Sequence, residues 1–375
     1  MVKYWRATMD NPFTPSRVVT GESFCNRRKE LKELSYYVQN NQTVLLYSHR
    51  RTGKTSLIFE LMGKLKKRRP AIRSIYIDLY GTLDENDFIA TIFSALSQIE
   101  SKLEKLLKLA AGLKLSLVVD PSTGQPTVSV SIERSERPKY LKSAMQILTS
   151  FAEKRKLLVV FDEFQEIDKY MDPGFEKRLR SHIQLHKNIA YIFSGSQKHI
   201  LLQMFNTTDR AFYQMAQSYP LKPIELNHYV KWVKGLFKNR KMSIDAELIT
   251  DIVERCEYQP MYIQQFLFEI WRRGEISPET ITQIEAEILE RRENEFIILW
   301  DSLTPNQRKA LRLLAKTEGQ AMFYSESLQH FGFRSGSLLS KALSTLSKRD
   351  IVTKNKIYHI QNVMLKKWIL STLSV

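Results

Sequence analysis

The chain has 375 residues and carries 57 Lys and Arg against 40 Asp and Glu, a formal net charge of +17 that favours anionic partners such as nucleic acid. With 43% hydrophobic and 26% charged residues it is expected to fold as two or three soluble domains, each burying its own core. A membrane span is excluded, because even the longest apolar runs, such as Leu157 to Phe161, are far below the roughly 18 residues required, and Met1 to Asn11 lacks the apolar core of a secretory signal. A cytoplasmic location is the expectation. Cys25 and Cys256 are isolated, with no partner at metal-ligand spacing, and read as buried thiols.

Residues 1–20 form an N-terminal arm, and residues 21–226 read as a doubly wound α/β domain. Thr43 to Tyr47 is an apolar strand, and a helical pattern begins at Ser56. Between them lies Ser48-His49-Arg50-Arg51-Thr52-Gly53-Lys54-Thr55, which has the layout of a phosphate-binding loop. Such a loop needs a turn whose N–H groups converge on phosphate oxygens, a lysine reaching the β and γ phosphates, and a hydroxyl for Mg²⁺. Gly53, Lys54 and Thr55 occupy those places, and the helix directs its positive end at the same anion. Ser48 stands where the pattern GxxxxGK[ST] begins with glycine, which implies either a φ value serine tolerates or an altered loop. The run from Lys64 to Arg69 reads as a solvated helix terminus.

Ser74 to Leu79 is a second strand and Asp87 to Ala110 a long helix. Leu113 to Val119 and Thr127 to Ile132 alternate around a turn cluster, so residues 113–132 are a β-hairpin insertion. After a helix from Tyr140 to Lys154, Leu157 to Phe161 is continuously apolar, as a central parallel strand is. It ends in Asp162-Glu163. Asp162 suits Mg²⁺ and Glu163 suits the base that orients an attacking water, while the bland alternative is a helix N-cap. Phe175 to His186 is helical, and Ile189 to Phe193 is a strand expected between the loop strand and the acidic strand. At its end, Ser194 of Ser194-Gly195-Ser196 either touches the γ-phosphate or attacking water, or is part of a plain strand-to-helix turn. Arg210, in the polar stretch from Asn206, is either an arginine finger on its own or a neighbour's nucleotide or a solvated loop residue. Lys222 to Leu226 reads as the last strand.

Residues 227–301 contain helical patterns only, at His228 to Arg240, Ala246 to Cys256, Met261 to Arg273 and Pro278 to Trp300, and form a helical lid. In residues 302–375, Thr304-Pro305 opens a helix, two further helices follow, and two short strands are joined by Lys354-Asn355-Lys356. That is a winged helix-turn-helix. From Asp301 onward there are twelve Lys and Arg against four acids, which points to DNA, although such modules also bind proteins.

These motifs together resemble the archaeal-type ATPases of the STAND class, AAA+-like P-loop proteins related to archaeal origin-recognition ATPases. Asn11-Pro12-Phe13 and Phe24-Cys25-Asn26-Arg27 with Glu30-Leu31 are similar to the family's NPF and F-x-G-R-x-x-E-L motifs, with Asn26 in place of glycine. Arg50 to Leu57 is close to R-R-x-G-K-T-S-L, and Val160 to Gln165 is close to the second nucleotide motif. Tyr258-Gln259-Pro260-Met261-Tyr262 stands at G-x-P-x-Y, with Tyr258 replacing glycine, and Lys366-Lys367-Trp368-Ile369 looks like the family's end. The resemblance implies a P-loop NTPase fold of the AAA+/ASCE type that uses ATP and Mg²⁺. It further implies nucleotide contacts from Arg27, which would lie by the adenine, from Ser48 and Arg50 through Ser56, and from Pro260.

The leading expectation is a Mg²⁺-dependent ATPase whose nucleotide state sets the position of lid and winged helix, the latter contacting DNA. Lys54 neutralises phosphates, Thr55 and Asp162 hold Mg²⁺, and Glu163 polarises water. A nucleotide-gated scaffold for protein partners or self-association, with slow or no turnover, is the alternative. A small-molecule kinase is disfavoured, because the helical segment offers Arg240, Arg272 and Arg273 but no clear phosphate clamp.

Overall fold

The computed structural model describes residues 11–97, 115–119, 126–130, 132–133, 135–239, 242–354 and 356–372. The chain divides into two compact units: one is Val18–Lys222, and the other joins the segment ending at Arg17 to Pro223–Val375.

The first unit is built on a sheet of β1 (Val44–Tyr47), β2 (Arg73–Asp78), β5 (Leu157–Asp162), β6 (Ile189–Gly195) and β7 (Gln217–Pro220), in the order β2-β5-β6-β1-β7. Every pairing is parallel. The strand ending in Ser194-Gly195 therefore lies between the loop strand and the acidic strand, as its sequence position predicts. β5 and β6 are buried along their whole length, which explains their uninterrupted apolar sequences. The two-residue strand period sorts their side chains into two layers. Leu45, Val159, Phe161, Tyr191 and Phe193 enter one core with α3 (Glu85–Ser97), α4 (Arg137–Ala152), α5 (Phe175–Gln184) and α6 (Lys198–Asn206). Val44, Leu46, Leu158, Val160, Ala190 and Ile192 enter the other with α1 (Arg28–Gln39) and α2 (Lys54–Lys67).

One expectation changes at the edge of the sheet. The last strand is Gln217–Pro220, not Lys222 to Leu226, because β7 pairs only with the four-residue β1 and the ladder ends where Leu221 N donates to the Tyr47 carbonyl. Beyond it Pro223 has no N–H to give, and Leu226 already opens a helix. The hairpin is present as β3 (Leu115–Val119) paired antiparallel with β4 (Pro126–Val130), while its turn lies outside the described residues. The helix expected to reach Ala110 is seen as α3 to Ser97, and the remainder also lies outside the described residues.

The second unit holds α7 (Leu226–Asn239), α8 (Ala246–Arg255), α9 (Pro260–Arg273) and α10 (Pro278–Asp301), followed by α11 (Pro305–Thr317), α12 (Ser325–His330) and α13 (Gly336–Lys348). The antiparallel wing of β8 (Val352–Lys354) and β9 (Tyr358–Ile360) comes next, and then α14 (Val363–Thr372). The Thr304-Pro305 signal is realised as a full capping box: Thr304 Oγ1 accepts from Gln307 N, and Gln307 Oε1 accepts from Thr304 N. The N-terminal Asn11-Pro12-Phe13 belongs to this unit and plugs its core. Phe13 is fully buried among Trp232, Phe237 and Trp271, with ring centroids 5.4–5.9 Å apart, a burial worth roughly 1.5–3 kcal/mol. Asn11 Nδ2 donates to the Phe268 carbonyl at 3.0 Å, and Thr14 N donates to Gln264 Oε1 at 3.1 Å. The motif's side chains are thus committed to helical packing.

Candidate nucleotide site

At the C-terminal ends of the adjacent strands β1, β5 and β6 the chain makes three turns, and these carry the polar residues that sequence singled out. The loop after β1 contains two left-handed residues, Arg51 (φ 64°) and Gly53 (φ 84°), on either side of Thr52. Alternation of this kind gathers successive N–H groups into an anion-sized concavity. α2 starts at once with Lys54, and its N-cap, Gly53, supplies no side-chain acceptor for the first-turn amides. Ser48 has no positive φ, so serine costs nothing there. Its buried hydroxyl instead meets the Thr52 hydroxyl across the loop, while Thr52 Oγ1 donates to the His49 carbonyl at 2.8 Å. The missing glycine is thereby replaced by a side-chain brace.

Lys54 is buried beside two carboxylates. Burial lowers its pKa, Glu163 and Asp162 oppose that shift, and Arg50 adds to it. Asp162, also buried, receives Tyr76 Oη on Oδ2 at 2.6 Å, with Thr55 Oγ1 on the same oxygen at 3.3 Å, and its Oδ1 accepts from Glu163 N at 3.0 Å. Burial first, and then Asp162, push the Tyr76 phenol upward, so it stays a proton donor. A hydroxyl and a carboxylate sharing a contact are hard oxygen donors of the type Mg²⁺ takes. Among the described residues no group of three or more His, Cys, Asp or Glu could hold a metal.

Glu163 itself is left-handed, at φ 50°. Its Oε2 accepts from Ser196 Oγ at 2.9 Å, from Ser196 N at 3.3 Å and from Gln165 Nε2. Ser194 is the hydroxyl the sequence points to, and the structure brings Ser196 to the carboxylate. Ser194 Oγ is fully buried and makes no hydrogen bond. Gln165 was legible only as part of a motif, and Tyr76 had the signal of facing along β2 with period two toward the strand end that pairs Asp78 with Asp162.

Other predicted residues are placed elsewhere. The Arg27 guanidinium is spent on protein groups: Nη1 on Glu30 Oε1 and the Lys222 carbonyl, Nη2 on the Thr52 carbonyl. Ser56 Oγ accepts from Val19 N. Arg210 is held by Asp168 at 2.7 Å and by Glu176. Pro260 is the first residue of α9 in the second unit, just after the left-handed pair Glu257 and Tyr258. Asn26 (φ 53°) and Tyr258 (φ 60°) occupy the two motif positions written as glycine, and both are left-handed, which is why glycine suits them. Both cysteines are buried thiols, and burial, partly offset by Arg27, pushes Cys25 up to about 12.

In the winged helix, α13 exposes Ser337, Leu338, Ser340, Lys341, Ser344, Thr345 and Lys348, and the wing exposes Lys354 and Lys356. Part of the basic excess is consumed internally. Lys366 pairs with Glu257 and Glu318, Lys367 with Glu285, and Arg308 with Asp301.

Residues 294–371 match the family described as a probable winged helix domain. A Walker-type ATPase of Pyrococcus abyssi superposes with a TM-score of 0.65 at 20% identity, over 92% of this chain and 96% of its own. The ORC2 protein of Aeropyrum pernix, solved with ADPNP and ADP, superposes at 0.58 and 14% identity, over 93% and 95% of the two chains. The ORC1 protein of the same organism, solved in complex with DNA, gives 0.50 at 14%, over 94% of each. Comparison with curated proteins gives no match. The chain therefore has the fold of the Walker-type and origin-recognition ATPases, with a winged helix at its C-terminal end. No helix among the described residues is long and apolar enough to cross a membrane.

Proposed function

We propose that the protein binds ATP with Mg²⁺ in the α/β unit, hydrolyses it, and acts as a switch whose winged helix contacts DNA. The observation that carries this reading is the convergence of buried Lys54, the Thr55–Asp162 contact and the Ser196-held Glu163 at the C-terminal ends of β1, β5 and β6. Lys54 and the loop amides would neutralise and orient the phosphates; Thr55 and Asp162 would hold Mg²⁺, which supplies charge neutralisation at the phosphate oxygens. Glu163 would orient the attacking water and take its proton, with Ser196 fixing the carboxylate. No role follows for Ser194, and Arg210 acts in cis only if Asp168 and Glu176 release it. The narrower STAND assignment, the division into residues 21–226, 227–301 and 302–375, and a cytoplasmic location belong to the same proposal.

DNA contact draws support from the hydroxyl and lysine face of α13 and the lysines of the wing, groups suited to phosphates and base edges. That the ORC1 relative was solved with DNA points the same way. A second reading, a nucleotide-gated scaffold, is favoured by the exposed Phe323, Tyr324 and Leu338 on the same helix-turn-helix, which would suit a protein partner. ATP hydrolysis by wild type and Glu163→Gln, with and without duplex DNA across a salt series, separates the two. Turnover lost in the variant and stimulated by DNA in a salt-sensitive way supports the DNA-coupled ATPase; binding without turnover or DNA response selects the scaffold.

A further inference from the structure

We infer that Arg27 is a positioning residue of the phosphate loop: by holding the Thr52 carbonyl it turns the Gly53 N–H toward the anion. The inference rests on the phosphate-loop reading above. Arg27 is 3% exposed, and a guanidinium so buried persists only when its donors are satisfied. Here Nη2 donates to the Thr52 carbonyl at 3.1 Å and Nη1 to the Lys222 carbonyl at 2.5 Å and to Glu30 Oε1 at 2.8 Å. A trans peptide is planar, with C=O and N–H on opposite sides, so fixing the Thr52 oxygen fixes the direction of the Gly53 N–H. That peptide joins Thr52 to left-handed Gly53, one residue after left-handed Arg51, where a half-turn of the plane would dismantle the concavity.

The cost paid to put Arg27 there supports the assignment. Asn26 and Arg27 are both left-handed, two consecutive non-glycine residues in a sparsely populated region, immediately before α1 begins at Arg28. Only a fork-shaped cation spans two carbonyls and a carboxylate at once; an ammonium carries the charge but not the geometry. Since Lys222 is the last residue of the α/β unit, the same guanidinium also ties the loop to the point where the chain leaves that unit.

The role differs from a contact with the adenine in a measurable way. A residue that orients a phosphate-binding amide discriminates by the number of phosphates, whereas a base contact or a purely structural one affects all nucleotides alike. The test is competition of ATP, ADP and AMP against a fluorescent ADP analogue, on the full chain, for wild type, Arg27→Lys and Arg27→Ala, with thermal unfolding of each. Arg27→Lys is expected to weaken ATP and ADP about tenfold while AMP changes by less than about twofold, and Arg27→Ala to do at least as much. Glu30→Gln, which leaves both carbonyl bonds in place, should keep ADP within about threefold of wild type, so it reports on the charge pair alone. Equal losses for all three nucleotides, or unchanged ATP and ADP affinity in folded Arg27→Lys, overturn the inference. A wild type that binds none of them overturns the phosphate-loop reading instead.

Discussion

Ser196 grips Glu163 with two donors, its N–H and its hydroxyl, from the neighbouring strand end. A carboxylate held in this way has one orientation to offer a water. Ser196→Ala removes the shorter of the two bonds, and turnover is expected to fall about 10- to 100-fold with nucleotide affinity little changed. Ser194→Ala is the control. Its hydroxyl is buried without a partner, so losing it should leave turnover intact and stability unchanged or about 1 kcal/mol higher. Steady-state ATP hydrolysis and nucleotide binding on the two variants check this, and equal loss of turnover in both refutes the assignment to Ser196.

Gly195 is required by the same network. A Cβ there would lie 1.9 Å from Gln165 Oε1 and 3.1 Å from a Leu201 methyl, so an alanine displaces the Gln165 amide whose nitrogen donates to Glu163. Gly195→Ala should cost roughly 1–3 kcal/mol in unfolding free energy and lower turnover. Adding Gln165→Ala should recover most of the stability but not the turnover. A double-mutant cycle by chemical denaturation reads the coupling directly; additive effects would show that the two side chains do not meet.

Much of this was legible in the sequence where the determinants are contiguous. The phosphate loop, the acidic pair and the Thr304 capping box are each written within a few residues, and β5 and β6 reveal themselves because strands covered on both faces tolerate nothing polar. What was missed depends on partners distant in sequence. The end of β7 is set by the length of β1, and the choice of Ser196 over Ser194 is set by which hydroxyl meets Glu163 across two strands. The partners of Arg27 were equally out of reach, because the two carbonyls it binds lie 25 and 195 positions away. α14 did carry a signal: Asn362 Oδ1 accepts from Met364 N at 3.1 Å and Leu365 N at 3.2 Å, an N-cap that announces the helix.

The two non-glycine residues at glycine positions make a paired prediction about strain. Left-handed backbone costs an ordinary L-residue roughly 1–2 kcal/mol, and asparagine less. Tyr258→Gly should therefore raise stability by up to about 1 kcal/mol, reduced by the entropy glycine gains in the unfolded chain. Asn26→Gly should be close to neutral, whereas Asn26→Val should lose about 1–2 kcal/mol because a β-branched side chain tolerates positive φ poorly. Urea midpoints at constant m-value give the three numbers. Destabilisation by Tyr258→Gly would mean that the tyrosine side chain contributes more than its backbone costs.

The pH dependence of stability should carry the mark of His186. Its Nδ1 lies 2.5 Å from the hydroxyl of buried Tyr191, and burial first, with His182 second, lowers its pKa to about 4. Burial holds the Tyr191 phenol well above its ordinary range, so that hydroxyl keeps its proton beside the imidazole. The unfolded chain protonates this histidine near its ordinary value of 6.5, the folded chain only near 4, so over that interval the unfolded state binds more protons. The stabilisation is complete above about pH 6.5 and is lost as pH falls toward about 4. Discounted for the ring's partial exposure, the loss should be about 1–2 kcal/mol. Chemical denaturation of wild type and His186→Gln at intervals from pH 7.5 to about 4 isolates it, because glutamine does not titrate. The stability difference between the two proteins should shrink steadily across that interval, and a difference that stays flat would assign the acid sensitivity to other groups.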